Sequence, residues 1–172
     1  MNIIVTEYDE NWVQLFEKEA ELLKAIFNKE IITIHHIGST AVPNLKAKPV
    51  IDLMPVVKNI EKVDDYNEQM MKHGYEPMGE VDIKGRRYFR KGGDDRTHNV
   101  HMFQVDNHAQ IDRHLAVRDY LRAHPEAVHE YGELKAALAV RFPKDIYGYM
   151  DGKNEFVKDL ERKAVEWRRR NE

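Results

Sequence analysis

The sequence predicts an α+β fold, with a mixed β-sheet in the first two thirds of the chain and helices in the last third. Three observations predict it. Two β-branched runs, Ile31–Ile37 and Val50–Val57, flank a segment rich in turn residues. Apolar residues recur at helical spacing ahead of the first run. From His108 onward the pattern is helical to the end, broken at Pro125 and again between Pro143 and Gly152. At 172 residues the chain is long enough to bury a core, and it carries no repeat, low-complexity stretch or Pro/Gly/Ser-rich linker. A single domain over residues 1–172 is expected.

The first helix follows Asp9 and Glu10. Trp12, Leu15, Phe16, Glu19, Leu22, Leu23, Ile26 and Phe27 share its core-facing stripe. Ile31–Ile37 then reads as a buried strand that stops at Gly38. Residues 38–49 are too rich in turn residues for a strand and too interrupted for a long helix, so a loop with one helical turn is expected. Val50–Val57 is the second buried strand. Val63, Tyr66, Met70 and Met71 fit a second helix ending near Gly74. Val81–Arg90 reads as a hairpin turning at Lys84–Gly85, and Asn99–Val105 as a further strand.

Composition excludes several classes. There is no cysteine, hence no disulfide framework and no cysteine-zinc site. The polar opening from Met1 is no signal peptide, and the longest apolar runs are far too short to span a bilayer, so a cytoplasmic location is expected. With 27 basic and 30 acidic residues the net charge is -3, which gives no field that would draw nucleic acid. The one basic cluster, Arg168–Arg170, ends a helix, where cations relieve the dipole. A small phosphorylated molecule is the expected partner.

Gly38, Ser39 and Thr40 at a strand end offer backbone N–H groups and two hydroxyls, a surface suited to phosphate oxygens, although such runs are also ordinary turns. The next strand adds to the case. Alternation puts Asp52 and Met54 on one face and Ile51 and Leu53 on the other, toward the core. A carboxylate there needs a metal, a cation or hydrogen-bond donors. Either Asp52 faces an occupied cleft or it pairs structurally with a cation such as Lys48. Lys48, Arg87 and Arg90 could neutralise phosphate or could sit at solvated edges.

His36-Ile37-Gly38-Ser39-Thr40-Ala41-Val42-Pro43-Asn44-Leu45, followed by Lys46 to Leu53, resembles the signature of the GrpB family of bacterial proteins, part of the nucleotidyltransferase fold superfamily. The resemblance extends to Tyr8 and Trp12, Arg87-Tyr88-Phe89, Asn99 to Phe103, Arg118 to Leu121, Tyr131 with Leu134-Lys135, and Lys153 with Phe156. It implies a short mixed sheet flanked by helices, with the superfamily's Gly-Ser turn on Gly38 and Ser39 and its first metal-binding aspartate on Asp52. Active members carry a second carboxylate two residues on, to hold magnesium against a nucleoside triphosphate; here that position is Met54.

The resemblance therefore implies a metal-dependent, nucleotidyltransferase-like protein, with Asp52 and Ser39 as catalytic candidates. Gly38, Ser39, Thr40, Lys48, Arg87 and Lys153 become candidates for nucleotide or phosphate contact, and Lys135 gains weight on the same ground. Magnesium or manganese is the cofactor a transferase would need. A site of Asp52, His101 and His36 would suit zinc, manganese or iron better, although a single histidine is more often a surface or hydrogen-bonded core residue than a ligand. His98 lies on the opposite strand face from His101. The alternative is a catalytically degenerate nucleotide- or metal-binding module that lacks the carboxylate at Met54. A scaffold role for the C-terminal helices has only ordinary amphipathic patterning behind it, such as Val128, Tyr131, Leu134 and Leu138.

Overall fold

The computed structural model describes residues 2–171; the opening Met1 lies outside the described residues. The chain divides into two compact units, each discontinuous in sequence. Unit one comprises residues 1–10, 38–49 and 112–172, and unit two residues 11–37 and 50–111.

Unit two is built on a five-stranded sheet of order β1-β2-β5-β4-β3. The strands are β1 (Ile31–Ile37), β2 (Ile51–Val57), β3 (Tyr75–Gly79), β4 (Arg87–Lys91) and β5 (His98–Gln104). Only β2 and β5 pair in parallel, so the sheet is mixed, as the sequence predicts. Helix α1 (Asn11–Phe27) packs on β1 and β2, and the short α2 (Asn67–Lys72) packs on β3. Leu23 and Phe27 of α1 are fully buried, as are Leu53, Val100 and Met70. Each such side chain contributes roughly 1.5–3 kcal/mol by leaving water. Leu15, expected in the stripe, is instead 46% exposed.

The hairpin differs from expectation. Its arms are β3 and β4, and Val81, expected in a strand, lies in their connection with φ 45°, followed by Asp82 at 62°. Side-chain hydrogen bonds hold this backbone where no ladder does. Glu80 Oε2 accepts from Gly85 N at 2.7 Å, and Arg86 donates to the carbonyls of Glu80 at 3.1 Å and Val81 at 2.9 Å. Val81 and Ile83 alternate like strand residues, but Val81 buries too little to enforce one.

In unit one, α4 (Pro125–Arg141) packs against α5 (Ile146–Arg170), and residues from Asp112 onward of α3 (His108–Ala123) join them. The helix breaks fall where the sequence puts them. Pro125 starts α4, where its missing N–H costs nothing, and Asp145 caps α5 by accepting from Gly148 N at 3.0 Å. Val42 and Leu45 pack with Leu121, Val128, Tyr131 and Leu160. A bridge between Thr6 and Ala47 ties the first residues to the 38–49 segment. Among the described residues no helix is long and apolar enough to cross a membrane.

Candidate functional site

In unit two the register sorts side chains by face. Asp52 stands opposite Ile37 on β1 and Asn99 on β5, and His101 opposite Tyr88 on β4. Asp52, Met54, Asn99, His101 and Tyr88 therefore share the face away from Leu53 and α1. His101 Nε2 lies 3.1 Å from Asp52 Oδ1, and Arg86 Nη1 lies 3.3 Å from His101 Nδ1. A guanidinium only donates, so Nδ1 accepts and the ring proton sits on Nε2, which donates to Asp52. Tyr88 stacks on His101 with ring centroids 5.3 Å apart, and Arg86 lies over the Tyr88 ring at 5.0 Å. Tyr88 Oη donates to Asn99 Oδ1 at 2.7 Å, and Arg96 Nη1 donates to both at 3.2 Å. Burial raises the Tyr88 hydroxyl above its ordinary value, with Asp52 adding and the arginines opposing, so it stays a donor.

Two candidates lie elsewhere in unit two. His36 is opposite Leu53, on the α1 face, where it stacks on Phe16 at 4.7 Å; the structure does not bring it to Asp52. Arg87 is opposite Met102 on that same face and pairs with Asp64 at 2.8 Å. The arginine beside His101 is its neighbour Arg86, only 8% exposed. One step along an extended segment reverses the face, so the choice between adjacent basic residues turned on a parity that the hairpin's irregular connection hid. His98 meets Glu19 of α1 at 3.7 Å, on the face expected for it.

In unit one, residues 39–41 form a single 3-10 turn. Gly38 enters it with φ 74° and ψ -171°, a conformation essentially reserved for glycine. Ala41 N donates to Gly38 O at 3.1 Å, and Arg122 clamps Ala41 O through Nε at 3.0 Å and Nη2 at 2.8 Å. Thr40 is buried. Lys135 of α4, only 2% exposed, donates from Nζ to Ser39 Oγ at 2.6 Å. Its ammonium lies 4.3 Å from the centroid of the Tyr131 ring. Lys48 and Lys153 both lie over the ring of Tyr149, at 5.1 and 5.3 Å. Burial holds the Tyr149 hydroxyl protonated, so the two tyrosines offer ring faces to three ammonium groups.

The donor set around Asp52 lacks the second carboxylate that the two-metal arrangement implied by the resemblance needs. Met54, at the second carboxylate position, is fully buried, and a thioether is a poor ligand for magnesium or manganese. A zinc ion on His101 Nε2 would move the ring proton to Nδ1, donor against donor with Arg86, whereas ligating histidines direct that proton at an acceptor. Among the described residues no three His, Cys, Asp or Glu side chains come together as a metal site.

Two contributors had weak sequence signals. Lys135 occupies a core position of the α4 pattern, between Tyr131 and Leu138, where a lysine needs a reason. Arg86 is marked only by its place beside Arg87.

A family model described as GrpB protein matches residues 2–163. The UPF0157 protein YqkA of Bacillus subtilis is 51% identical over 162 residues, covering 94% of this chain and 47% of that one, so the chain spans about half that relative's length. The crystal structure of the conserved protein GrpB from Enterococcus faecalis is similar at TM-score 0.92 and 49% identity, over 95% of this chain and 98% of that one. A Cid1 poly(U) polymerase bound to MgATP is similar at TM-score 0.50 and 12% identity, over 77% of this chain and 45% of that one. That last likeness is one of fold, nucleotidyltransferase-like, and agrees with the α+β architecture expected.

Proposed function

The chain belongs to the GrpB family, and from that premise we propose that it binds a nucleotide or another phosphorylated small molecule and has lost standard two-metal nucleotidyl transfer. One observation carries the reading: a buried ammonium, that of Lys135, hydrogen-bonds the hydroxyl of the Gly-Ser turn at 2.6 Å. An ammonium is costly to bury, and holding it against a small polar turn is worthwhile where an anion is to be received. Lys48 and Lys153 extend the positive charge within the same unit. Ser39 and Gly38 would hold phosphate oxygens, with Thr40 fixing the turn from its buried side.

Isothermal titration with ATP and with inorganic tripolyphosphate tests the reading. Lys135→Met is expected to weaken binding about 10- to 100-fold, the worth of one charge-assisted hydrogen bond. Binding that is indifferent to this change in a folded variant would remove the central contact.

A transferase is the second reading, favoured by Asp52 standing on an ordered strand with its carboxylate oriented by His101. Asp52 would then take the proton of an acceptor hydroxyl as its oxygen bonds to the α-phosphorus of a nucleoside triphosphate and the α–β phosphoanhydride bond breaks to release pyrophosphate. Asp52→Asn should abolish nucleotidyl transfer without unfolding the chain; unchanged turnover in that variant would end the reading.

A further inference from the structure

We infer that unit one carries a second ligand site, beside the turn at Ser39, which takes a small organic carboxylate with an apolar body and holds its two oxygens with Arg122. The inference does not depend on nucleotide binding. An open pocket of about 570 Å³ lies where residues 43–44 meet the junction of α3 and α4. Small-molecule sites commonly measure roughly 300–1,000 Å³.

The walls of the pocket are apolar and already ordered. Leu121 and Val128, which line it, are buried members of the core cluster that also holds Val42 and Leu45. Pro43 and Pro125 line it as well, with rings that fix their own backbone. An aryl or branched alkyl group can enter such a surface without ordering further side chains, which favours binding. Among the described residues no acidic side chain lines the pocket.

Arg122 supplies the charged end. It uses Nε and Nη2, one edge of the planar fork, to hold Ala41 O. The other edge, Nη1 with the second proton of Nη2, has the parallel donors that a carboxylate accepts in bidentate fashion. Among the described residues no carboxylate forms an ion pair with Arg122, and Asp119, which acts on it through space, is engaged by Arg118 at 2.9 Å. Partial burial and the charge of Arg118 hold the guanidinium below its ordinary value, against Asp119 and Tyr8, so negative charge added at that edge is favoured. One guanidinium edge matches a carboxylate, whereas a phosphate has three oxygens to satisfy. Asn44 and His129, also lining the pocket, offer an amide and a ring nitrogen to a further polar group.

The test is an NMR titration of the full chain, methyl-labelled at Leu and Val, with phenylacetate, with isovalerate and with the neutral analogue phenylacetamide. Both acids are expected to shift the Leu121 and Val128 methyls saturably, with Kd on the order of 1 mM. Phenylacetamide should bind about tenfold more weakly than phenylacetate. Arg122→Gln, which keeps an N–H for Ala41 O, should abolish that preference. His129→Trp, at an exposed position, should close the pocket to both acids. Equal affinity for phenylacetate and phenylacetamide in the wild-type chain would overturn the inference. So would the absence of saturable shifts at those methyls, or binding untouched by His129→Trp. Phenyl phosphate binding more tightly than phenylacetate would overturn the choice of a carboxylate. If Arg122→Gln fails to fold, the wild-type comparison of acid with amide still decides the matter.

Discussion

The two faces of the sheet in unit two each hold a carboxylate among basic groups, and they hold it differently. On the α1 face, Glu19 accepts from Tyr75 Oη at 2.6 Å and Lys91 Nζ at 2.5 Å, with His98 Nε2 at 3.7 Å, and its side chain is 9% exposed. On the other face Asp52 is 26% exposed and is held at one oxygen by His101, whose orientation Arg86 sets in turn. The Glu19 cluster is saturated and sealed under a helix, as a structural ion pair must be. The Asp52 arrangement is oriented by a chain of hydrogen bonds and keeps contact with solvent. What separates a structural carboxylate from a candidate functional one is therefore how its neighbours satisfy it, more than how polar they are.

The largest expected effect breaks the sealed side. Glu19→Gln should cost about 3 kcal/mol, because it leaves Lys91 without its buried counter-charge. Asp52→Asn should cost under about 1 kcal/mol, as a partly exposed position does. Urea denaturation of both variants checks the difference, and equal losses would erase the distinction between the faces. Arg86→Met comes next, at about 2 kcal/mol, since the carbonyls of Glu80 and Val81 lose their donor together. Proton exchange at the His101 ring, followed by NMR, should also report the freed tautomer in that variant.

A pH series sharpens the same contrast. Burial holds His98 below its ordinary value, against the pull of Glu19. Although burial alone would raise Glu19, hydrogen bonds from Lys91 and Tyr75 hold it below its ordinary value. In both cases the unfolded chain takes up the proton first, so stability is full above the unfolded value and is lost as pH falls through the folded one. The urea midpoint should therefore decline as pH drops below about 6.5, through His98, and again below about 4.5, through Glu19. His98→Gln should remove the first step and Glu19→Gln the second. The smallest effect is that of Arg87→Met. Its pairing with the half-exposed Asp64 is worth about 0.5 kcal/mol, and nucleotide affinity should not change. A loss of affinity there would return Arg87 to the ligand site.

Much of this was legible in the sequence where a local period governs. The strand at residues 51–57, the turn after Gly38 and the helix break at Pro125 all follow from alternation, from glycine's conformational range and from proline's missing N–H. So does the pairing of Asp52 with Met54 on one face, and with it the absence of a second carboxylate. The connection between β3 and β4 was not legible, because side-chain hydrogen bonds from Glu80 and Arg86 stand there in place of a ladder.

Tertiary structure decided the rest. Strand order placed β5 between β2 and β4, which set His101 against Asp52 and stacked it on Tyr88. The hairpin's parity chose Arg86 over Arg87, and the side on which α1 packs sent His36 to Phe16. Folding of unit one brought Lys135 to Ser39, 96 positions away along the chain. Sequence periods fix how neighbouring side chains alternate, since covalent geometry is local. Which face is buried, and which distant group meets a given side chain, depends on how whole elements pack to remove apolar surface from water.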